Sequence, residues 1–147
     1  MNESFDTNLD KTEIPEDSLL HQMGNFSAQI QGGSNFKMHK LAGSGYMIQF
    51  VKDGATELHH VDDNLSGGYL KKNQPSLKMI STYKNHIKNI VDSGNKVRIS
   101  AHDKLADSFY RISKGIVARN PGYDISEPNA STHEITGDQL KSWVISK

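Results

Sequence analysis

A change of hydrophobic period near residue 75 limits the folds open to this chain. Before it, apolar residues mostly alternate with polar ones, as in half-buried strands; residues 75–93 then carry apolar residues at the spacing of an amphipathic helix. Another alternating run follows at 97–101. A helix that connects two neighbouring strands of one sheet makes them parallel, and the connection is almost always right-handed. The pattern therefore predicts one parallel step in the sheet.

The region before residue 62 is predicted to be an antiparallel meander. Strand-like runs lie at 26–30, 36–41, 46–51 and 56–61, with a turn predicted at 31–35. Asp53-Gly54, between the last two runs, is a strong signal for a two-residue hairpin. The polar stretch 62–74 is predicted to be a loop.

The first helix is bounded by Pro75 near its start and Gly94 just past its end, which are the usual positions of these residues at helix termini. Asp103 is predicted to cap a second helix with the apolar stripe Leu105, Phe109, Ile112 and Ile116. Two closing strands are expected around Tyr123 to Ile125 and at 143–145, separated by a polar loop at 127–139. The predicted fold class is α+β, with two helices on a mixed, mainly antiparallel sheet; counted from the run at 36–41, the order is β-β-β-α-β-α-β-β.

Charge divides the chain into an arm and a body. Residues 1–20 hold six acidic residues and one lysine, whereas the remaining residues hold 11 acidic and 16 basic residues. The formal net charge of zero is therefore the sum of a negative arm and a positive body. An acidic, polar segment is typical of a solvated arm, and it is also able to contact a protein partner or the basic body. We therefore predict an arm over 1–24 and one folded domain over 25–147.

Several classes of function are disfavoured by composition. The chain has no cysteine, which excludes disulfides and thiolate chemistry and fits a cytoplasmic, reducing compartment. It has no secretory signal and no stretch that approaches the length of a membrane span, so no membrane association is expected. Its basic residues are not clustered with aromatic ones, so no nucleic-acid partner is expected.

From residue 36 to residue 147 the order of elements resembles that of the GNAT acyltransferase superfamily from its second strand onward. The resemblance is carried by the strand Val97-Arg98-Ile99-Ser100-Ala101, by Phe109-Tyr110 in the following helix, and by Gly122-Tyr123 at the return strand. The chain is also similar to the small GNAT-like proteins of tailed phages, whose cofactor-binding loops depart from the family pattern. The resemblance implies a domain that binds acetyl-CoA as co-substrate and acylates an amine, in a host cytoplasm or a virion.

The resemblance also implies a set of site residues. Tyr110 matches the family tyrosine that protonates the departing thiolate, and His59 or His60, at the end of a predicted strand, is placed to deprotonate the amine. The family loop that holds the pyrophosphate corresponds to Asn64-Leu65-Ser66-Gly67-Gly68, and the implied cofactor-binding residues are Gly67, Gly68, Lys71 and Lys72.

This loop departs from the family pattern. Asn64 replaces the usual Gln or Arg, the second glycine comes one position early, and residues 69–74 separate the glycines from the helix. The region before Phe26 is too short for the first strand and two helices of the family. A second hypothesis is therefore a non-catalytic GNAT-like binding or virion assembly protein.

A third hypothesis is a metal-dependent hydrolase that uses His60, Asp62 and His102, or His133 in place of His102. No pair of these residues has the spacing of a known zinc motif, so no metal ligand is assigned. His102-Asp103 is also explained by helix capping alone.

Overall fold

A computed structural model describes the protein over residues 33–40, 45–62, 69–71, 77–133 and 137–147. The arm predicted at 1–24, the strand predicted at 26–30, and Pro75 lie outside the described residues. The strands are β1 Ser34–Lys40, β2 Tyr46–Lys52, β3 Ala55–Val61, β4 Lys96–His102, β5 Asp124–Ile125, β6 Asn129–Thr132 and β7 Gln139–Ser146. The helices are α1 Leu77–Asp92 and α2 Asp103–Arg119.

Seven strands of the described residues form one mixed sheet, in which β3 and β4 are the parallel neighbours and the other pairs are antiparallel. The spatial order is β1-β2-β3-β4-β7-β5, and β6 also pairs with β7. Helix α1 connects β3 to β4, as the period change in the sequence predicts. The α+β class with two helices on a mainly antiparallel sheet is therefore confirmed.

The β2–β3 hairpin has the predicted two-residue turn. Lys52 pairs with Ala55, and the intervening Asp53 and Gly54 have φ angles of 52° and 79°. Two consecutive left-handed residues are the requirement of a type I′ turn, whose twist matches that of the flanking strands.

Helix α1 ends in a Schellman motif at the predicted glycine. Gly94 has a φ of 94°, its N–H donates to the Val91 carbonyl at 3.0 Å, and the Asn95 N–H donates to the Ile90 carbonyl at 3.3 Å. These two bonds satisfy carbonyls that the end of a helix leaves without partners.

Three sequence predictions differ from the structure. The cap of α2 is His102 rather than Asp103: its Nδ1 accepts from the Lys104 N–H at 3.0 Å, and Asp103 lies in the first helical turn. The loop predicted at 127–139 contains β6, which pairs with β7 although all four of its residues are exposed. Backbone hydrogen bonds to β7 hold this edge strand, so it forms although its sequence shows no alternating apolar pattern. The turn predicted at 31–35 overlaps β1, which begins at Ser34.

The apolar core lies between the two helices and one face of the sheet. Leu58, Ile99 and Trp143 contribute from the sheet, and Ile87 and Phe109 from the helices; each is at most 1% exposed. Since successive residues of a strand point to opposite faces, Glu57 and His59 lie on the face turned away from the helices.

Candidate functional site

The parallel strands β3 and β4 diverge at their carboxyl ends. Their ladder runs from Ala55–Lys96 to His59–Ser100 and stops there, although β3 continues to Val61 and β4 to His102. Open sheets bind ligands outside the carboxyl ends of their parallel strands. The divergence is therefore a candidate ligand-binding site.

The segment 69–71 enters this divergence. Tyr69 forms an antiparallel bridge with Val61, and the Leu70 N–H donates to the His60 carbonyl at 2.9 Å. The opposite edge of β3 is taken by β2 as far as the pair Tyr46–Val61, so the bridge lies on the edge that faces β4. Leu70 joins the core, and Tyr69 lies on the face of His59.

A hydrogen-bonded chain of polar side chains runs along the face turned away from the helices. His59 Nδ1 lies 2.6 Å from the Tyr69 hydroxyl and its Nε2 lies 3.1 Å from Glu57 Oε1. Arg98 donates to the other carboxylate oxygen of Glu57 at 2.8 Å. An ionised carboxylate only accepts, so His59 donates its Nε2–H to Glu57; in the neutral form of the ring, Nδ1 then accepts from the Tyr69 hydroxyl.

The charge of Glu57 is maintained despite its burial, with 5% of the residue exposed. Burial acts to raise the pKa of this carboxyl, but the hydrogen bond and charge of His59, together with those of Arg98, outweigh it and hold the pKa below its ordinary value. A buried carboxylate that fixes the tautomer of a histidine is an arrangement that recurs in acid–base catalysis.

Asp138, which precedes β7, joins the segment 69–71 to the end of β4. Its Oδ2 accepts from the Tyr69 backbone N–H at 3.0 Å, and its Oδ1 lies 3.2 Å from Lys71 Nζ and 3.9 Å from His102 Nε2. Asp138 is itself buried. Burial and the charges of Glu57 and Asp138 raise the pKa of Tyr69 well above its ordinary value, so its hydroxyl remains protonated and donates.

His60, one of the two base candidates from the sequence, lies in the core rather than on this face. Its ring stacks on Phe109 with centroids 4.3 Å apart and tilts against Tyr83 at 5.2 Å, and 1% of the residue is exposed. Burial lowers the pKa of His60 to about 4. His59, the other histidine of the pair, is the one that reaches the polar chain.

Tyr110, the acid candidate, lies over the β5–β7 side of the sheet. Its hydroxyl donates to the Ser126 carbonyl at 3.3 Å, and its ring meets Trp143 edge-on at 5.2 Å and Lys114 Nζ at 5.4 Å. These contacts are to α2, to β7 and to the turn that follows β5. They do not join Tyr110 to the histidine pair of β3.

The cofactor-binding candidates Gly67, Gly68 and Lys72 lie outside the described residues. Lys71 is exposed, and its ammonium group is paired with Asp138. The trio of the metal hypothesis is not assembled, since His60 points toward the helices and His102 toward Asp138. Over the described ranges, no group of three or more His, Asp or Glu side chains is arranged to hold a metal ion.

Sequence reasoning missed Glu57, Tyr69 and Asp138. The spacing of Glu57 and His59 on one strand was a usable signal, because period two places them side by side on one face. Tyr69 and Asp138 come from two loops that are 69 residues apart, and no local pattern links them.

Comparisons with known proteins found no relative of this chain. No family model matches the chain, and neither a curated protein nor a solved structure resembles it significantly. Among the described helices, neither is long and apolar enough to cross a membrane.

Proposed function

We propose that this chain is an N-acyltransferase of the GNAT type, which uses acetyl-CoA or a related thioester and in which His59 is the base. The proposal is supported above all by the divergence of the parallel pair β3 and β4 beside a histidine that a buried carboxylate orients. It also relies on the resemblance of the element order, which implies the acyl-CoA substrate.

The chemistry that His59 would perform follows from its partners. The amine must lose a proton to attack the thioester carbonyl, after which the C–S bond breaks and the thiolate takes up a proton. With Nε2–H donated to Glu57, the basic nitrogen is Nδ1, and Glu57 would stabilise the imidazolium that forms. Tyr69 covers Nδ1 in the structure, so its hydroxyl must move aside or pass the proton on. The proton for the thiolate would come from Tyr110, on the family resemblance alone.

A calorimetric or thermal-shift titration with acetyl-CoA tests the binding step. At a hundredfold excess over the dissociation constant, a ligand of the native state stabilises it by about 2.7 kcal/mol, which raises the Tm of a domain of this size by several degrees. An unchanged Tm at millimolar acetyl-CoA, both in the wild type and in Asp138→Ala, would remove the acyltransferase from consideration.

The catalytic step is tested by release of CoA thiol in the presence of amines such as spermidine or a lysine peptide. His59→Ala should abolish turnover and keep the acetyl-CoA shift, because the base contributes to chemistry more than to binding. Its matched control is His60→Phe, which changes the neighbouring histidine on the core side and should keep turnover in the fraction that folds. Equal rates for His59→Ala and the wild type would exclude His59 as the base.

A second candidate is a GNAT-like domain without catalysis, acting in the assembly of a phage virion or as a binding protein. The observation that favours it is the segment 69–71, which fills the divergence where the thioester arm would lie. The acidic arm 1–20 is then the candidate contact for a protein partner. Deletion of residues 1–20 should abolish capture of that partner, and unchanged capture would exclude the arm. Either function fits a host cytoplasm, and the second also fits a virion.

A further inference from the structure

We propose that the segment 69–71, called the strap below, is autoinhibitory: it occupies the groove between β3 and β4 and covers the base, and it must leave before an acyl-CoA binds. This inference rests on the proposed acyltransferase function and adds a regulatory device to that site.

The strap and an acyl-CoA arm require the same edge of β3. The His60 carbonyl, which points into the divergence, already accepts from the Leu70 N–H at 2.9 Å. The other edge of β3 is paired with β2 along its whole length. An extended arm that carries amides has no second edge of β3 to pair with, so the two occupants exclude each other.

The strap also covers the nitrogen that the proposed mechanism uses. The Tyr69 hydroxyl lies 2.6 Å from His59 Nδ1, and the same residue is fixed at its backbone by Asp138. Release of the strap would therefore open the groove and uncover the base in one movement. Groove and base are coupled because consecutive residues of the strap close both: the Leu70 N–H occupies the His60 carbonyl, and the Tyr69 hydroxyl covers His59 Nδ1.

Asp138 is the residue whose removal should release the strap. Its carboxylate accepts from the Tyr69 N–H and pairs with Lys71, so it holds the strap at two points. It lies in the connection between β6 and β7, so Asp138→Ala removes an anchor of the strap and leaves the Glu57 and His59 side chains in the protein.

The test compares Asp138→Ala with the wild type in two measurements on the full chain. Hydrogen exchange at residues 69–71 should become faster in the variant, because the Leu70 and Tyr69 amides lose their partners when the strap opens. Acetyl-CoA should bind the variant about tenfold more tightly, because the competent state is more populated. Asp103→Ala is the matched control: it removes an exposed ion pair with Lys141 and should change neither measurement.

The outcomes separate this inference from the proposed function. Faster exchange with equal acetyl-CoA affinity in both proteins overturns the autoinhibitory strap and leaves the acyltransferase standing. Absence of acetyl-CoA binding in both proteins overturns the acyltransferase and the strap together. Should Asp138→Ala fail to fold, Tyr69→Phe replaces it, since loss of the hydroxyl removes its contact with His59 Nδ1 and with it one restraint on the strap. Unchanged exchange and affinity in Tyr69→Phe count against the strap.

Discussion

Acid should destabilise this protein through His60, the histidine buried between the sheet and the two helices. His60 is 1% exposed, and its Nδ1 donates to the Ser100 carbonyl at 3.4 Å. No hydrogen-bond partner for Nε2 is found in the described part of the chain. Protonation of this ring would place a charge among Phe109 and Tyr83. Burial accordingly lowers the pKa of His60 from 6.5 to about 4.

The sign and size of the effect follow from linkage. Between the two pKa values the unfolded chain binds a proton that the folded chain does not, so the free energy of unfolding falls as the pH falls through this window. The difference between a pKa of 6.5 in the unfolded chain and about 4 in the folded chain corresponds to a maximal loss of about 3 kcal/mol in the free energy of unfolding. From about pH 7 to about pH 5 the expected loss is about 2 kcal/mol.

The assay is urea unfolding followed by the fluorescence of Trp143, the single tryptophan, which is 1% exposed in the folded state. His60→Phe keeps an aromatic ring against Phe109 and should reduce the pH-dependent loss by about 2 kcal/mol. Tyr83→Phe is the control: it alters the same part of the core without a histidine titration, so it should keep the wild-type pH dependence.

The same pH dependence in His60→Phe and the wild type would refute this reasoning. A variant that does not fold leaves a direct measurement on the wild type, the NMR titration of the His60 ring. That ring should keep its neutral chemical shift down to about pH 5. A midpoint near 6.5, the ordinary histidine value, would contradict the proposed effect of burial.

Three further substitutions test local features. Ser113→Ala should lower the free energy of unfolding by about 1–3 kcal/mol in urea titrations. The reason is that the buried Trp143 indole N–H, which donates to Ser113 Oγ at 2.9 Å, would lose its acceptor. A loss below the error of the titration would contradict this. Gly94→Ala should cost about 1 kcal/mol in the same assay, since a φ of 94° is strained for a residue with a Cβ; an unchanged midpoint would contradict the strain. Tyr110→Phe should change stability by less than about 0.5 kcal/mol, because its hydroxyl bond at 3.3 Å is exposed; in a thiol-release assay, unchanged turnover would remove Tyr110 from the mechanism.

The elements that the sequence predicted correctly depend on neighbours within a few residues. Asp53-Gly54 turns because these residue types accept a positive φ, and Gly94 ends its helix for the same reason. The parallel step between β3 and β4 followed from the helix between them, since the handedness rule leaves few alternatives. The cap of α2 nevertheless lies one residue before the predicted position, because the His102 side chain accepts the hydrogen bond that was expected of Asp103.

Only part of the candidate site could be predicted from the sequence. His59 was one of two adjacent base candidates, and strand alternation separated their faces without saying which face the helices would cover. Packing decided this, because Tyr83 and Phe109 of the two helices close over His60 and leave His59 to Glu57. The same choice set the protonation behaviour of His60, which depends on burial rather than on residue type.

The amino-acid sequence by itself determined the α+β architecture, the hairpin turn and the end of α1, because periodicity and backbone preference act over a few residues. Only the tertiary structure decided that the segment 69–71 fills the divergence between β3 and β4 and that Asp138 holds it there. A hydrogen bond between residues 69 positions apart depends on how the finished sheet brings two loops together, and no local pattern encodes it.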